Sequence, residues 1–396
     1  MPTRLDLVRE ITLRLDTMTY GGEALGRHAG QAVFVTGGLP GEVVRIAVEE
    51  DRARFARGRV VEVIEPSPDR VVPRCPHFGF GSAACGGCQW QHIDYAAQLR
   101  YKTAIVREQL QRLGRVLDPP VRDIIPSPAI WQYRNHAQFH LTAAGRPGFQ
   151  AARSHRVVAL DECHVVEPPL AEWLRLNRRA TAQADRVSVR SGTLRADRLS
   201  GAAEFPIKGA VLRVSGDSFF QVNTALIETL IDQVLAGLEP QPDETILDAY
   251  CGVGLFSRFL APRAGRVIGI ESSASAVGDF RVNLAGFDQV EIRHARVEEA
   301  LAQLAEPLHA AVLDPPRAGC GPRVIEAVLA RAIERVVYVS CDPATLARDV
   351  RRLIDGGYDL IEAQPIDLFP HTYHIETVAL LRRADRAILG GDGEHG

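Results

Sequence analysis

The first 66 residues carry short apolar runs with partial alternation of apolar and polar positions, the pattern of β-strands. The runs are Ile11–Leu15, Ala32–Val35, Glu42–Ala47 and Val60–Ile64, and glycine-rich or polar stretches separate them. Short strands joined by glycine turns are typical of a small barrel. The sequence Glu65-Pro66-Ser67-Pro68 then interrupts the pattern, so we predict that the first domain spans 1–66 and ends at a linker.

The middle of the chain, residues 67–207, follows no single period and predicts a mixed domain. One helix is predicted over Tyr95–Leu113, where apolar residues recur at roughly helical spacing and Gly114 follows as a stop signal. A cysteine- and glycine-rich cluster precedes this helix, and short apolar runs that predict strands follow it.

Residues 208–385 alternate between apolar strand patterns and amphipathic helix patterns. This alternation predicts an α/β domain built on a doubly wound parallel sheet. Helices are predicted at Gln221–Leu238 and Pro322–Arg331, among others. The predicted strands are Thr245–Ala249, Arg266–Ile270, Val290–His294, Ala310–Asp314, Arg335–Ser340 and Tyr358–Gln364. We expect the tail 386–396 to be disordered.

Composition places the chain among ordinary globular proteins and shows an uneven charge. The 396 residues are 46% hydrophobic and 24% charged, which excludes disordered and fibrous classes. No apolar run approaches the roughly 18–20 residues that span a bilayer, and the first residues have no apolar signal core, so we expect a cytoplasmic protein. The net charge of −3 conceals 18 basic and 11 acidic residues in 71–207, against 18 and 27 in 208–396. The middle segment is therefore the candidate surface for a polyanion.

A glycine turn follows the first strand of the C-terminal half. It reads Asp248-Ala249-Tyr250-Cys251-Gly252-Val253-Gly254, and the next predicted strand runs up to the acid Glu271. Glycines there let a ligand approach the backbone, and an acid about 20 residues further on suits a ribose diol. Ser257 occupies the third glycine position of a dinucleotide motif, and the acid at position 248 disfavours a pyrophosphate. The pattern therefore indicates a cationic cofactor without phosphates, although a generic nucleotide-binding turn remains open.

Three further polar residues stand at or near strand ends. Asp314 opens Asp-Pro-Pro-Arg, in which the two prolines restrict the backbone and aim the acid outward. Cys341 precedes a predicted helix whose N-terminus could stabilise a thiolate nucleophile. Glu376 ends a polar stretch, His371–Glu376, that precedes an apolar run. Taken singly, each also has a plain structural interpretation, namely a proline turn, core packing or a surface acid.

Four cysteines, Cys75, Cys85, Cys88 and Cys163, could form a metal site. Cys85-Gly86-Gly87-Cys88 is a tight pair of ligands of the kind that holds zinc or an iron–sulfur cluster. Spacing alone does not choose between the two, and four thiolates leave no open coordination position for catalysis.

In combination, these motifs resemble the RNA (uracil-5-)-methyltransferases, and the resemblance covers nearly the whole chain. It rests on five segments of the C-terminal half, whose order also matches: Ser218–Asn223, Asp248–Gly254, Asp314–Arg317, Ser340–Pro343 and His371–Glu376. The resemblance implies a Rossmann-like class I methyltransferase domain, an N-terminal OB-like barrel similar to a TRAM domain, and an iron–sulfur domain at 75–163. It is nearest to the branch that modifies large-subunit ribosomal RNA.

The resemblance also implies a reaction and a role for each motif residue. Cys341 would be the nucleophile, Glu376 the base, and Asp314 would bind the uracil edge. S-adenosylmethionine would be the methyl donor, and Cys75, Cys85, Cys88 and Cys163 would hold a [4Fe-4S] cluster, with zinc as the alternative. Cofactor contacts are implied for Gln221, Asp248, Tyr250, Gly252, Gly254, Glu271 and Asp314.

RNA is the expected partner, and ribosomal RNA is favoured over transfer RNA modified at uracil 54. We expect a monomer without an obligate protein partner or membrane association. A cytosine-5 methyltransferase is disfavoured because Ser340, and not proline, precedes Cys341. A non-catalytic RNA-binding or assembly protein would leave the triplet Cys341, Glu376 and Asp314 unexplained, and an iron–sulfur redox sensor would leave the methyltransferase motifs unexplained.

Overall fold

The computed structural model describes residues 9–178, 186–191 and 201–384, and the predicted tail 386–396 lies outside them. Contacts divide the chain into two compact units, each discontinuous in sequence. The first unit comprises the described parts of Met1–Glu108, Asp123–Glu228 and Pro365–Glu376. The second comprises the described parts of Gln109–Arg122, Thr229–Gln364 and Thr377–Gly396.

The N-terminal part of the first unit is a closed barrel, which confirms the barrel prediction. Its described strands pair in the order β1-β2-β3-β5-β4. They are β1 (Glu10–Met18), β2 (Ala24–His28), β3 (Gln31–Thr36), β4 (Val43–Asp51) and β5 (Phe55–Glu65). The alternating residues Leu13, Leu15, Val33, Val35 and Ile46 fill the interior.

Strand β2 has no counterpart in the predicted elements. Its inward positions are Ala24 and Gly26, which carry too little apolar surface to produce a hydrophobic signal. A Cβ atom on Gly26 would lie 2.3 Å from the Arg14 carbonyl oxygen, so the strand needs glycine at this close approach.

The remainder of the first unit contains most of one long helix, together with a sheet and a hairpin. The helix is α1 (Tyr95–Arg112), close to the predicted 95–113, and a sheet with the order β8-β7-β6-β9 and a hairpin β10-β11 accompany it. The elements are β6 (His136–Leu141), β7 (Pro147–Gln150), β8 (Val157–Ala159), α2 (Pro168–Leu176), β9 (Arg186–Arg190), β10 (Ala202–Ile207) and β11 (Ala210–Ser215).

Helix α3 (Thr224–Leu238) begins three residues later than predicted from the sequence. Asn223 forms a β-bridge with Arg134, and the Asn135 amide donates to the Val222 carbonyl at 2.9 Å. These contacts hold the residues before Thr224 in an extended conformation that is incompatible with a helix.

The second unit is organised by one sheet, in which seven described strands follow the order β14-β13-β12-β15-β16-β18-β17. Its elements are β12 (Thr245–Ala249), α4 (Leu255–Leu260), β13 (Arg266–Glu271), α5 (Ala274–Asn283), β14 (Val290–His294), α6 (Val297–Gln303), β15 (Ala310–Leu313), α7 (Gly321–Ala330), β16 (Arg335–Ser340), α8 (Pro343–Asp355), β17 (Tyr358–Ile366) and β18 (Glu376–Arg383). The central strands are buried nearly throughout, as parallel strands covered on both faces must be.

The sheet is not wholly parallel, which corrects the prediction. The strands from β14 to β16 are parallel neighbours, but β18 pairs antiparallel with β16. The apolar run Val378–Leu381 fits either a strand or a short buried helix, and the sequence does not specify the direction of pairing. None of the described helices is long and apolar enough to cross a membrane.

Candidate active site

The glycine turn after β12 has the backbone that its sequence predicts. Tyr250, Gly252 and Gly254 all have positive φ, at 62°, 54° and 89°. A Cβ on Gly254 would lie 2.6 Å from the Leu284 side chain and 2.9 Å from the Phe280 ring, at a φ that favours glycine, so a larger residue would be strained there. A Cβ on Gly252 would meet nothing within 4 Å, which leaves open space beside the backbone for a ligand.

Asp248 lies beneath this turn and is fully buried. Its Oδ2 accepts hydrogen bonds from the Ser257 hydroxyl at 2.6 Å and the Ser257 amide at 2.9 Å. Burial raises the pKa of Asp248 to about 7. A glycine at position 257 could donate only its backbone amide to Asp248. The Ser257 hydroxyl adds a second hydrogen bond, which joins the turn to the following helix α4.

Glu271 ends β13, the neighbouring parallel strand. One carboxylate oxygen accepts from the Gly252 amide at 3.0 Å, and the other accepts from the Ser272 and Ser273 amides, each at 2.7 Å. The carboxylate is therefore fixed beside the glycine turn.

Asp314 directly follows β15, the parallel neighbour of β12 on the other side. Burial raises the pKa of Asp314 to about 8, and Asp248 adds to the shift. With Glu271, these residues bring three carboxyl groups to one edge of the sheet. A cationic ligand would lower the raised pKa values, so this edge suits a sulfonium-bearing cofactor and disfavours a pyrophosphate.

A buried carboxylate that the sequence analysis did not identify anchors the loop after Asp314. Asp349 of α8 is fully buried and accepts hydrogen bonds from the Cys320 amide and the Tyr338 hydroxyl, both at 2.9 Å. The Thr345 hydroxyl of the same helix donates to the Arg317 carbonyl at 3.2 Å. Helix α8 therefore fixes the course of the Asp-Pro-Pro-Arg loop. The only sequence signal was an acid on the buried face of an amphipathic helix.

Cys341 lies between the end of β16 and the start of α8. The helix cap next to it is Asp342, whose side chain accepts from the Ala344 amide at 2.9 Å and the Thr345 amide at 3.0 Å. The sequence predicts that the helix N-terminus is available to a Cys341 thiolate. Instead, two of its amides are bound to Asp342, so stabilisation by these two N–H groups is not available.

Glu376 is the first residue of β18 and is 3% exposed. In the pairing of β16 with β18, Ser340 lies opposite Thr377. Cys341 thus directly follows one member of this pair along the chain, and Glu376 directly precedes the other. Glu376 and the buried Gln221 belong to the first unit, whereas Cys341 and the other motif residues at the sheet edge belong to the second.

The four predicted metal ligands line one cavity of the first unit. This cavity has a volume of about 270 Å³, and Cys75, Cys85, Cys88 and Cys163 all contribute to its wall. Nine residues separate Cys75 from Cys85 in the sequence. Both cysteines nevertheless line the same cavity. A Cβ on Gly86 would lie 2.6 Å from the Gln150 carbonyl oxygen, so the turn between Cys85 and Cys88 needs glycine.

The four cysteines are partly buried, and their thiols influence one another. Burial raises the pKa of Cys85 to about 11 and that of Cys88 to about 12, and neighbouring cysteines add to both shifts. Burial also raises the pKa values of Cys75 and Cys163. Backbone N–H groups point at several sulfurs, such as that of Gly87 at Cys85, 3.4 Å away. Clustered thiols with N–H donors are chemically suited to a positively charged metal group that would keep them deprotonated.

Among the residues that the structure describes, no group of three or more His, Cys, Asp or Glu side chains is arranged as a metal site. A zinc ion needs its sulfurs around one point at about 2.3 Å, whereas a four-iron cluster binds each sulfur at a different iron and so needs a wider ring.

Two aromatic residues of the four-cysteine segment pack against neighbouring side chains of the first unit. Trp90 is fully buried, and its indole N–H donates to the Gly22 carbonyl at 3.3 Å. Phe78 packs against Phe80 and His92, with ring centroids 5.3 and 5.7 Å away. The buried Trp90 therefore has no open face on which an RNA base could stack, whereas Phe78 is half-buried and lines the cavity.

A sheet of this order, with a glycine turn and carboxylates at its edge, defines the class of S-adenosylmethionine-dependent methyltransferases. A family model described as tRNA (Uracil-5-)-methyltransferase matches residues 186–384, and the TRAM domain model matches 7–61. The chain belongs to the RNA (uracil-5-)-methyltransferase family and is an enzyme that methylates uracil in RNA.

Named relatives support this assignment over nearly the full length. The chain is 34% identical to a 23S rRNA (uracil(1939)-C(5))-methyltransferase RlmD of Cronobacter sakazakii, and the match covers 94% of this chain and 96% of the relative. It is 36% identical to an uncharacterized RNA methyltransferase of Streptomyces coelicolor, over 96% and 94% of the two chains. A crystal structure of the Pyrococcus abyssi tRNA (uracil-54, C5)-methyltransferase with S-adenosyl-L-homocysteine matches with a TM-score of 0.71 at 25% identity, covering 93% and 99%.

Proposed function

We propose that this enzyme transfers a methyl group from S-adenosylmethionine to carbon 5 of a specific uridine in large-subunit ribosomal RNA. The observation that carries the choice of ribosomal RNA is the 34% identity to an enzyme named for 23S rRNA, which extends through the barrel and the four-cysteine region. The structural similarity to an enzyme named for uracil 54 of tRNA makes tRNA the second candidate.

The proposed chemistry proceeds through a covalent bond between Cys341 and the base. Carbon 5 of uracil is a weak nucleophile, and addition of the Cys341 thiolate to carbon 6 converts the ring into an enolate. Carbon 5 then takes the methyl group from the sulfonium, and S-adenosylhomocysteine leaves. Glu376 removes the carbon 5 proton, and the electrons of that C–H bond re-form the C5–C6 double bond and expel the thiolate.

The carboxyl groups at the sheet edge fit the remaining roles. Asp314 would bind the uracil edge, and its raised pKa lets the free enzyme present a protonated carboxyl, which can donate a hydrogen bond. Glu271, held beside Gly252, would bind the ribose of the methyl donor. Asp248 would support the turn from below, and Tyr250, Gly252, Gly254 and Gln221 complete the proposed cofactor set.

The target is identified by comparing RNA from cells with and without the gene. We expect digestion and mass spectrometry to show the loss of one or more 5-methyluridines from 23S rRNA in the deletion strain, with tRNA unchanged. Loss from tRNA alone would transfer the proposal to the second candidate. If neither RNA loses the modification and the purified enzyme methylates neither unmodified RNA, the proposed target and reaction are wrong.

We propose that the four cysteines hold a [4Fe-4S] cluster, as four thiols around one cavity would allow. The cluster would fix the fold of the segment that runs from Cys75 to Cys163. Protein purified without oxygen is expected to be brown, to absorb broadly near 400 nm, and to contain about four irons per chain. Cys88→Ser should lose most of this absorbance, whereas Cys320→Ser, which changes a buried cysteine of the other unit, should retain it. A colourless protein containing one zinc would refute the cluster.

The RNA surface is proposed to combine the barrel with the basic middle segment. Arg153, one arginine of that segment, lies in the first unit at 2.8 Å from the buried Glu23 of the barrel. Its charge is thus partly committed to the fold, so RNA contacts should depend on the other arginines of 71–207. We further propose that the enzyme acts as a monomer.

A further inference from the structure

The segment Asp367–His371 belongs to the first unit and ends five residues before Glu376. Buried side chains bind its backbone carbonyl groups at three successive positions. The Leu368 carbonyl accepts from the Asn223 amide nitrogen at 3.2 Å, and the Pro370 carbonyl accepts from the Tyr133 hydroxyl at 3.0 Å. The intervening Phe369 carbonyl accepts from the Lys102 ammonium at 3.0 Å. Such continuous fixation is unusual for a loop, because loop backbone is normally hydrated.

Lys102 is the centre of this arrangement. It is one of two lysines in a chain whose other basic residues are arginines, and it is fully buried. Its ammonium lies 2.6 Å from the carboxylate of Asp367, which is also fully buried, and 5.8 Å from the Trp90 ring centre. A buried ion pair contributes little net stability, but it enforces one geometry because neither charge tolerates the loss of its partner.

One turn earlier on the same face of α1, Gln98 holds His371. The Gln98 side-chain oxygen accepts from the His371 amide at 2.9 Å, and its nitrogen lies 3.1 Å from the His371 ring nitrogen Nδ1. Trp131 stacks on the imidazole with ring centres 3.8 Å apart. His371 also has a φ of 63°, a conformation that a side-chain-bearing residue keeps only where its surroundings impose it.

The four-cysteine segment holds the same residue from another side. The amides of Gln89 and Trp90, which directly follow Cys88, donate to the His371 carbonyl at 3.0 and 2.9 Å. Helix α1 and the segment after Cys88 therefore converge on the residues that lead to Glu376.

We propose that Lys102 is a positioning residue for methyl transfer, and that it fixes the segment Asp367–His371 so that Glu376 meets the carbon 5 proton. The inference rests on the proposed function, in which Glu376 is the base. A base displaced by about 1 Å can lose about two orders of magnitude in rate, because proton transfer needs near-contact geometry. The specific consequence is slow breakdown of the methylated Cys341–RNA adduct, while its formation continues.

Two variants separate positioning from folding. Lys102→Met with Asp367→Leu removes both charges, so no unpaired charge is left in the interior. Tyr133→Phe removes only the hydroxyl that binds the Pro370 carbonyl and keeps the ring in place. Ile46→Ala in the barrel core is the control, since it destabilises the first unit without contact to the 367–371 segment.

The experiment mixes each holoenzyme with 23S rRNA transcribed in vitro and S-adenosylmethionine, and then quenches with detergent. For the double variant, we expect the detergent-stable adduct that carries the transferred methyl group to rise about tenfold and product release to fall about tenfold. The KM values for both substrates should stay within about twofold, and Tyr133→Phe should change in the same direction by a smaller factor. Ile46→Ala should lower Tm without accumulating adduct.

The inference is overturned if neither variant accumulates adduct, or if both lose adduct formation in parallel with their folded fraction. If the double variant fails to fold, adduct accumulation by Tyr133→Phe alone tests the inference. The variant Glu376→Gln distinguishes failure of the positioning inference from failure of the proposed function. If Glu376→Gln accumulates adduct and the Lys102 and Tyr133 variants do not, only the positioning role is wrong. If no variant forms adduct, the covalent reaction itself is wrong.

Discussion

Cys341→Ala is expected to lower 5-methyluridine formation by about four orders of magnitude or more, while RNA is still bound. Without the thiolate, carbon 6 has no nucleophile, and carbon 5 never gains the enolate character it needs to take a methyl group. Cys341 lies in the turn between β16 and α8, so alanine should leave the backbone and its cap at Asp342 in place. The measurement is transfer of labelled methyl to unmodified 23S rRNA, with RNA binding measured in parallel.

The control is Ile361→Ala, which truncates a side chain that is 46% exposed on the edge strand β17 of the same unit. This position lies outside every motif proposed for the site, so the variant should remain active. Methylation retained by Cys341→Ala would remove the covalent step from the mechanism. Loss of RNA binding together with activity would instead assign Cys341 a structural role.

Glu376→Gln is expected to convert the enzyme into a trap that stays covalently bound to methylated RNA. Glutamine keeps the shape of the side chain but cannot take the carbon 5 proton, so elimination slows by about 10²- to 10⁴-fold. Addition of Cys341 and methyl transfer precede that step and should continue for one turnover. A detergent-resistant protein–RNA band that carries one labelled methyl group per chain is the expected observation.

Two comparisons make the Glu376 result interpretable. Glu334→Gln, at a position where the side chain is 68% exposed, should turn over normally. The double variant Cys341→Ala with Glu376→Gln should give no band, because the bond to RNA requires the thiolate. Normal turnover by Glu376→Gln would exclude this residue as the base. Another group would then accept the carbon 5 proton.

Much of the fold follows from local patterning. The alternation of short runs predicts the barrel, and the long amphipathic stretch predicts α1 to within one residue. The seven-stranded sheet shows where such prediction ends. Its central strands are apolar on both faces and are recognised at once, whereas β18 is a short apolar run whose antiparallel insertion beside β16 depends on pairing between distant parts of the chain.

The residues of the candidate site also divide into those that the sequence reveals and those that only the structure reveals. Asp248, Glu271, Asp314 and Cys341 are visible in the sequence because each stands at or beside the end of a predicted strand, and strand ends at the same edge of a parallel sheet meet in space. The structural roles of Ser257 and Asp349 are not visible, since the sequence does not show which group a buried serine or aspartate on a helix will bind.

By itself, the sequence determined the class of enzyme, the residues of its motifs and the four cysteines, because chemistry requires particular side chains at particular spacings. The tertiary structure alone decided that those cysteines line one cavity. It alone also decided that Lys102 and Gln98 hold the segment before Glu376. These last contacts join residues more than 250 positions apart, such as Lys102 and Asp367, and only the folded chain brings such residues together.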